Sequence, residues 1–177
     1  MAENFSDGAF EIDLPNSVLA NISKAAFYEQ MAKTSLSLSL KVLNCLGHED
    51  WVKVDKEQFS QIVEKIDKKL ESFAHLIPYF EQIKHNHEKW RDERNFVVHA
   101  NWGQNSVGKP VAYCYRRKRL GDENDVVRAV NDCFWLAKEA RAFQYEIAKM
   151  IAAGDLPSSV EDGPGVEMAV ADKFVRF

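Results

Sequence analysis

Cysteine is scarce: Cys45, Cys114 and Cys133 are the three in 177 residues, odd in number and far apart. Neither a disulfide scaffold nor a zinc knuckle can be built from them, and the usage is that of a reducing compartment. Long apolar runs are absent as well. No stretch approaches the roughly 18 apolar residues of a membrane span. The opening Met1-Ala2-Glu3-Asn4-Phe5-Ser6-Asp7 is acidic and lacks the charged-then-apolar build of a signal peptide. A cytoplasmic protein with no membrane partner is the expectation. Basic charge is not in excess either. With 23 Lys and Arg against 27 Asp and Glu the net charge is −4, so any contact with nucleic acid must come from a local patch. No phosphate-cradling glycine loop, Rossmann fingerprint or nucleophile elbow occurs, and no cofactor is expected.

What the chain has is core material. Hydrophobic residues make up 46% and charged residues 28%, with eleven Phe, five Tyr and four Trp, enough for one soluble domain. Residues 1–15 read as an arm. Asn16 and Ser17 then offer caps for a long helix carrying Val18, Leu19, Ile22, Ala25, Leu36, Leu40 and Leu43 at helical spacing, closed by Gly47. The alternation Ser35-Leu36-Ser37-Leu38-Ser39-Leu40 has no turn signal on either side and is read as part of that helix. Asp55 is the expected cap of a second helix with the stripe Phe59, Ile62, Val63, Ile66, Leu70, Phe73, Leu76 and Ile77, broken at Pro78. A third helix runs from about Tyr79 to Trp102 and ends at Gly103.

Gly103, Gly108, Pro110 and Gly121 then surround Val111-Ala112-Tyr113-Cys114-Tyr115, whose composition suits a short hairpin or extended insertion. A fourth helix from Asp122–Asn124 to Ala153 offers Val126, Val127, Val130, Phe134, Leu136, Ala137, Phe143, Ile147 and Met150 to the core, with Gly154 as its stop. The sum is an all-α fold. It is an antiparallel four-to-five-helix bundle at 16–154 with a short β-like insertion between the last two long helices, followed by a Pro/Gly-rich linker and tail at 155–177.

The third helix holds the residues that could carry chemistry. Phe80, Ile83, His87, Trp90, Val97 and Val98 share one apolar face, and Arg94 falls inside it. A long cation in an apolar stripe needs a partner or a wet pocket, because burying it alone is costly. Arg91, Asn95, His99 and Trp102 line the adjoining face. Arg94 and His99 differ by about 140° around an ideal helix. They flank one cleft only through arginine's reach, a fraying helix end, or a second subunit.

The run Arg94-Asn95-Phe96-Val97-Val98-His99 resembles the R-x4-6-H signature of the HEPN superfamily, down to the polar residue directly after the arginine. Its place late in a helix, before a loop and a last long helix, is similar too. The resemblance covers the whole chain as an architecture, but only about a dozen residues specifically. It implies a metal-independent endoribonuclease that dimerises with the motif helices face to face. Such proteins occur in defence, toxin–antitoxin and RNA-processing systems, so an antitoxin or regulatory protein is an implied partner beside RNA. His99 would then move the proton of the ribose 2′-hydroxyl or of the leaving 5′-oxygen. Arg94 would meet charge on the phosphoryl oxygens, and Asn95 would orient the histidine or hold a phosphate oxygen.

The basic run Arg116-Arg117-Lys118-Arg119 beside Tyr113 and Tyr115, together with Arg91, is the expected RNA contact, cations for the backbone and rings for a base. Two readings compete. A catalytically silent helical interaction module requires Arg94 and His99 to sit apart, each with an internal partner, and no positive cleft around them. A nucleotide-binding sensor requires a pocket near Arg94 closed to a polymer but open to a mononucleotide. His85 and His87 point to different helix sides with no third ligand at helical spacing, so zinc is not expected. His48 and His75 read as ordinary surface or helix-end residues.

Overall fold

Serine hydroxyls decide how the first helix copes with its alternating stretch. Ser39 returns its hydroxyl to the Ser35 carbonyl at 2.8 Å, one turn back, so a buried polar side chain is satisfied without leaving the helix. The computed structural model describes residues 14–44, 48–115 and 118–156. Helix α1 spans Asn16–Leu43 with Leu36, Leu40 and Leu43 buried. The expected caps Asn16 and Ser17 lie inside it. The Pro15 carbonyl takes the first amides instead, from Val18 at 2.9 Å and Leu19 at 3.2 Å. The helix stops at Asn44, and Gly47 lies outside the described residues.

A short helix α2, His48–Asp55, was not anticipated from the sequence. Asp55, expected to cap the next helix, is instead the last residue of α2 and pairs with the buried Lys41 at 2.6 Å. Helix α3 covers Phe59–Leu70 and takes its start from Gln58, whose amide donates to Gln61 Oε1 at 2.9 Å. The expected second helix therefore ends early. A 3-10 turn, Ala74–Leu76, leads directly into α4, Ile77–His99. Pro78 sits in the first turn of α4, where its missing N–H costs nothing, so the expected breaker is a starter.

Helix α4 ends three residues earlier than expected. Trp102 belongs to strand β1, Asn101–Gln104, which pairs antiparallel with β2, Pro110–Cys114, with Trp102 opposite Ala112. Strand β3, Arg119–Asp122, adds to β2 with Gly121 opposite Ala112, giving a three-stranded meander. Gly121 is required there: a Cβ would collide with the Phe96 ring and the Asp125 carboxylate. Asp122 caps α5, Glu123–Ala153, accepting from the Asn124 amide at 2.8 Å while its own amide donates to Asp125 Oδ2. Gly154, in the left-handed region at φ 79°, stops it as expected.

The chain is thus mostly helical, with five α-helices among the described residues and one small sheet. Two apolar clusters run along it. Leu14, Val18 and Ala25 of the chain start and α1 meet Phe96, Val97, Val126, Ala129 and Cys133. Leu36, Leu40 and Leu43 meet Phe80, Ile83, Phe143, Ile147 and Met150. Helices α1 and α5 therefore run in the same direction, with α4 antiparallel to both. The connections α2–α3 and the sheet absorb the reversals. Val127 and Phe134, expected in the core, are each 46% exposed because α5 is covered on one side only. Phe96 is fully buried because the sheet covers the side of α4 that an isolated helix would show to water. No described helix is long and apolar enough to cross a membrane.

Candidate functional site

Two oppositely charged residues occupy apolar stripes on facing helices. Arg94 lies in the stripe of α4, and Glu29 lies four residues after Ala25 and three before Ala32 in that of α1. They meet: Arg94 Nε is 2.8 Å from Glu29 Oε2. The contact is an ion pair lying off the N–H axis, since that nitrogen has no aligned acceptor. Arg91 reaches the same carboxylate with a true hydrogen bond, Nε to Oε1 at 3.0 Å, and its guanidinium lies 5.1 Å from the Phe59 ring centre. Arg94 Nη1 in turn donates to Asn95 Oδ1 at 3.0 Å. Glu29, Arg91 and Arg94 side chains are 14%, 25% and 20% exposed, half-shielded rather than dry.

Cys133 of α5 lies beneath this group, fully buried. Burial, and secondarily the Glu29 charge, pushes its thiol up to about 12, so it stays protonated and is no nucleophile. Two guanidiniums against one carboxylate leave the group one positive charge in excess. Asp132 beside Cys133 is a carboxyl that burial holds above its ordinary value, with Lys89, Glu93 and Arg128 as charged neighbours.

His99 stands at the last turn of α4, exposed, about 7.5 Å further along the axis than Arg94. Asn95 is one turn below it on the same side, so Asn95 stands between the arginine and the histidine. Just beyond the helix Trp102 donates its indole N–H to the carbonyl of Val97, two residues before His99, at 2.8 Å.

The expected RNA contacts divide. Tyr113 and Tyr115 meet edge to face at 4.6 Å, and Tyr115 is 70% exposed. Lys118 is exposed, while Arg116 and Arg117 lie outside the described residues. Arg119 turns inward. It grips Glu93 with both nitrogens (3.1 and 2.7 Å) and Asp125 at 2.9 Å, and lies 4.1 Å from the Phe96 ring centre. The Glu93 hydrogen bond raises its affinity for its proton further, and Arg119 joins the sheet to α4 and α5. Arg91 too has an internal partner, in Glu29.

Among the described residues no His, Cys, Asp and Glu group has a metal-binding arrangement. His87 stacks on Phe59, and His75 contacts the Met150 sulfur. A cavity of about 500 Å³ lies elsewhere, between α1, α2 and α3, lined by Leu40, Val54, Lys65 and Lys69 among others. Leu40 is eleven residues beyond Glu29, about 16 Å along α1, so this cavity is separate from the Arg94 group. Glu29 is the residue that sequence reasoning missed. Its signal was available: a carboxylate inside an apolar stripe, matching the arginine inside the stripe of α4. No protein-family model matches the chain, and no curated protein or solved structure is significantly similar to it.

Proposed function

We propose that the chain is a metal-independent endoribonuclease of the HEPN type, a helical bundle acting as a homodimer in a cytoplasmic defence or toxin–antitoxin setting. The observation that carries the reading is the hydrogen bond from Arg94 Nη1 to Asn95 Oδ1. It ties the arginine to the side of α4 that ends in the exposed His99, which narrows the angular gap between the two. The setting rests on the resemblance alone.

In this reading the ribose 2′-oxygen attacks the adjacent phosphorus and the 5′-oxygen leaves, giving a 2′,3′-cyclic phosphate and a 5′-hydroxyl. His99 takes the 2′ proton or supplies one to the 5′-oxygen. The Arg94 guanidinium faces the charge that gathers on the non-bridging oxygens. The partner's copy of the site supplies the second proton-transfer group. Cleavage of a mixed RNA in EDTA tests this: the wild type leaves cyclic-phosphate ends and His99→Ala does not cut. Absence of cutting by both, with and without co-expressed neighbouring proteins, rejects it.

A second reading has its own observation. The Glu29 carboxylate already pairs with Arg94 and Arg91, as a catalytically silent HEPN-like dimer for nucleotide or protein binding requires. It predicts RNA or nucleotide affinity without cutting.

A further inference from the structure

Glu29 contacts both arginines in the same way. Oε1 takes Arg91 and Oε2 takes Arg94, and each guanidinium is met at Nε, the nitrogen nearest its own helix. An arginine paired for stability alone commonly offers its outer edge to a carboxylate in a two-pronged fork, as Arg119 does to Glu93 in this chain. Here the outer Nη nitrogens are left. Among the described residues the one hydrogen bond from them runs from Arg94 to Asn95. The group keeps one positive charge in excess and remains partly open to water.

We infer that Glu29 is a positioning residue: by holding Arg91 and Arg94 at Nε, it sets their Nη ends side by side as a clip for one phosphate group. The inference rests on the ribonuclease reading for its consequence in cleavage, but the clip itself does not require cleavage. Arg91 is the anchored member, hydrogen-bonded and lying over Phe59. Arg94, held off axis, is the member able to follow a phosphoryl group as its charge develops. A carboxylate is suited to this, because it restricts two flexible side chains at once and so removes entropy that the phosphate would otherwise have to overcome.

The test uses the full chain labelled with ¹⁵N and reads the arginine Nε–Hε resonances, assigned through Arg91→Lys and Arg94→Lys. In the wild type both resonances are visible at neutral pH, and titrated inorganic phosphate moves the two with a single Kd. Glu29→Gln, at matched circular dichroism, loses both resonances to exchange and with them the shared response. Its kcat for RNA falls at least tenfold, while KM is unchanged or lower because one negative charge has gone. Should that variant not fold, Arg91→Lys keeps the charge without the planar fork, and the Arg94 resonance that remains must lose at least tenfold in phosphate affinity; an unchanged Arg94 response in that variant overturns the clip. Retention of both resonances in Glu29→Gln, or a wild type whose resonances ignore phosphate, overturns the clip. The two claims fail separately. Phosphate response without any RNA cutting rejects the ribonuclease and keeps the clip; cutting that Glu29→Gln leaves at the wild-type rate does the reverse.

Discussion

Trp102 donates its indole N–H to the Val97 carbonyl at 2.8 Å, so the strand that follows α4 folds back over the turn that carries His99. The last carbonyls of a helix have no partner within it, and this one is served by a side chain five residues on. Trp102→Phe keeps the buried ring and removes the donor. The expected cost is about 1 kcal/mol of unfolding free energy, read from the urea midpoint at an unchanged m-value. Under the ribonuclease reading the same variant cuts RNA more slowly without weaker binding, because His99 is less well placed.

His99 and Arg94 should separate in stability even though both are assigned to one reaction. His99 is exposed, so His99→Ala changes stability by no more than about 0.5 kcal/mol. Arg94→Ala also removes a partner of Glu29, which is 14% exposed, and a loss of about 1–2 kcal/mol is expected. Thermal melts of the two variants side by side check this. Equal losses would show that His99 carries structural contacts, and that its role in cleavage cannot be inferred from mutation alone.

Arg119 is expected to matter for folding more than for RNA. It joins Glu93, Asp125 and the Phe96 ring, and Asp125 also pairs with Arg128. Arg119→Ala should cost about 1–3 kcal/mol, since two largely shielded carboxylates lose a common partner. Arg119→Lys should recover little of it, because an ammonium cannot fork across Glu93 while lying flat on a ring. A lysine variant with wild-type stability would reduce the network to simple charge.

Cys133 gives the fold an alkaline limit. In the unfolded chain its thiol ionises near the ordinary 9.0, and in the fold near about 12. Below pH 9 both states keep the proton and stability does not depend on it. Between pH 9 and 12 only the unfolded chain releases it, so stability falls by about 1.4 kcal/mol per pH unit. Cys133→Ala lowers stability at neutral pH by leaving a small cavity, yet its decline above pH 9 should be shallower than the wild type's. Parallel declines in denaturant unfolding from pH 8.5 to 10.5 would count against a buried, protonated thiol.

Much of the helical framework was legible because it depends on local chemistry. The stripe Phe59-Ile62-Val63-Ile66-Leu70, the start of the last helix at Asp122–Asn124 and the Gly154 stop each rest on residues within a turn or two of one another, and each stands where expected. Element ends were less legible where a distant partner sets them. Trp102 continues an apolar helical pattern in sequence, yet pairing with Ala112 ten residues later draws it into a strand. Pro78 has one local effect, the loss of an amide donor, which either ends a helix or begins one at no cost. The 3-10 turn before it made the difference.

The helical character of the chain, the cation in the apolar stripe of α4 and the run from Arg94 to His99 can all be read from residue order alone. These follow from side-chain volume, periodicity and the cost of burying charge. What that cation meets depends on how the helices pack. Glu29 is 65 residues away in the chain, and the parallel course of α1 and α5 with α4 opposed brings it level with Arg94 above Cys133. Packing likewise turns Arg119 inward while Lys118 beside it faces water. Periodicity gives each helix its buried face, but which charges oppose one another depends on the direction and height at which separate helices pack, and that is fixed by the whole core at once.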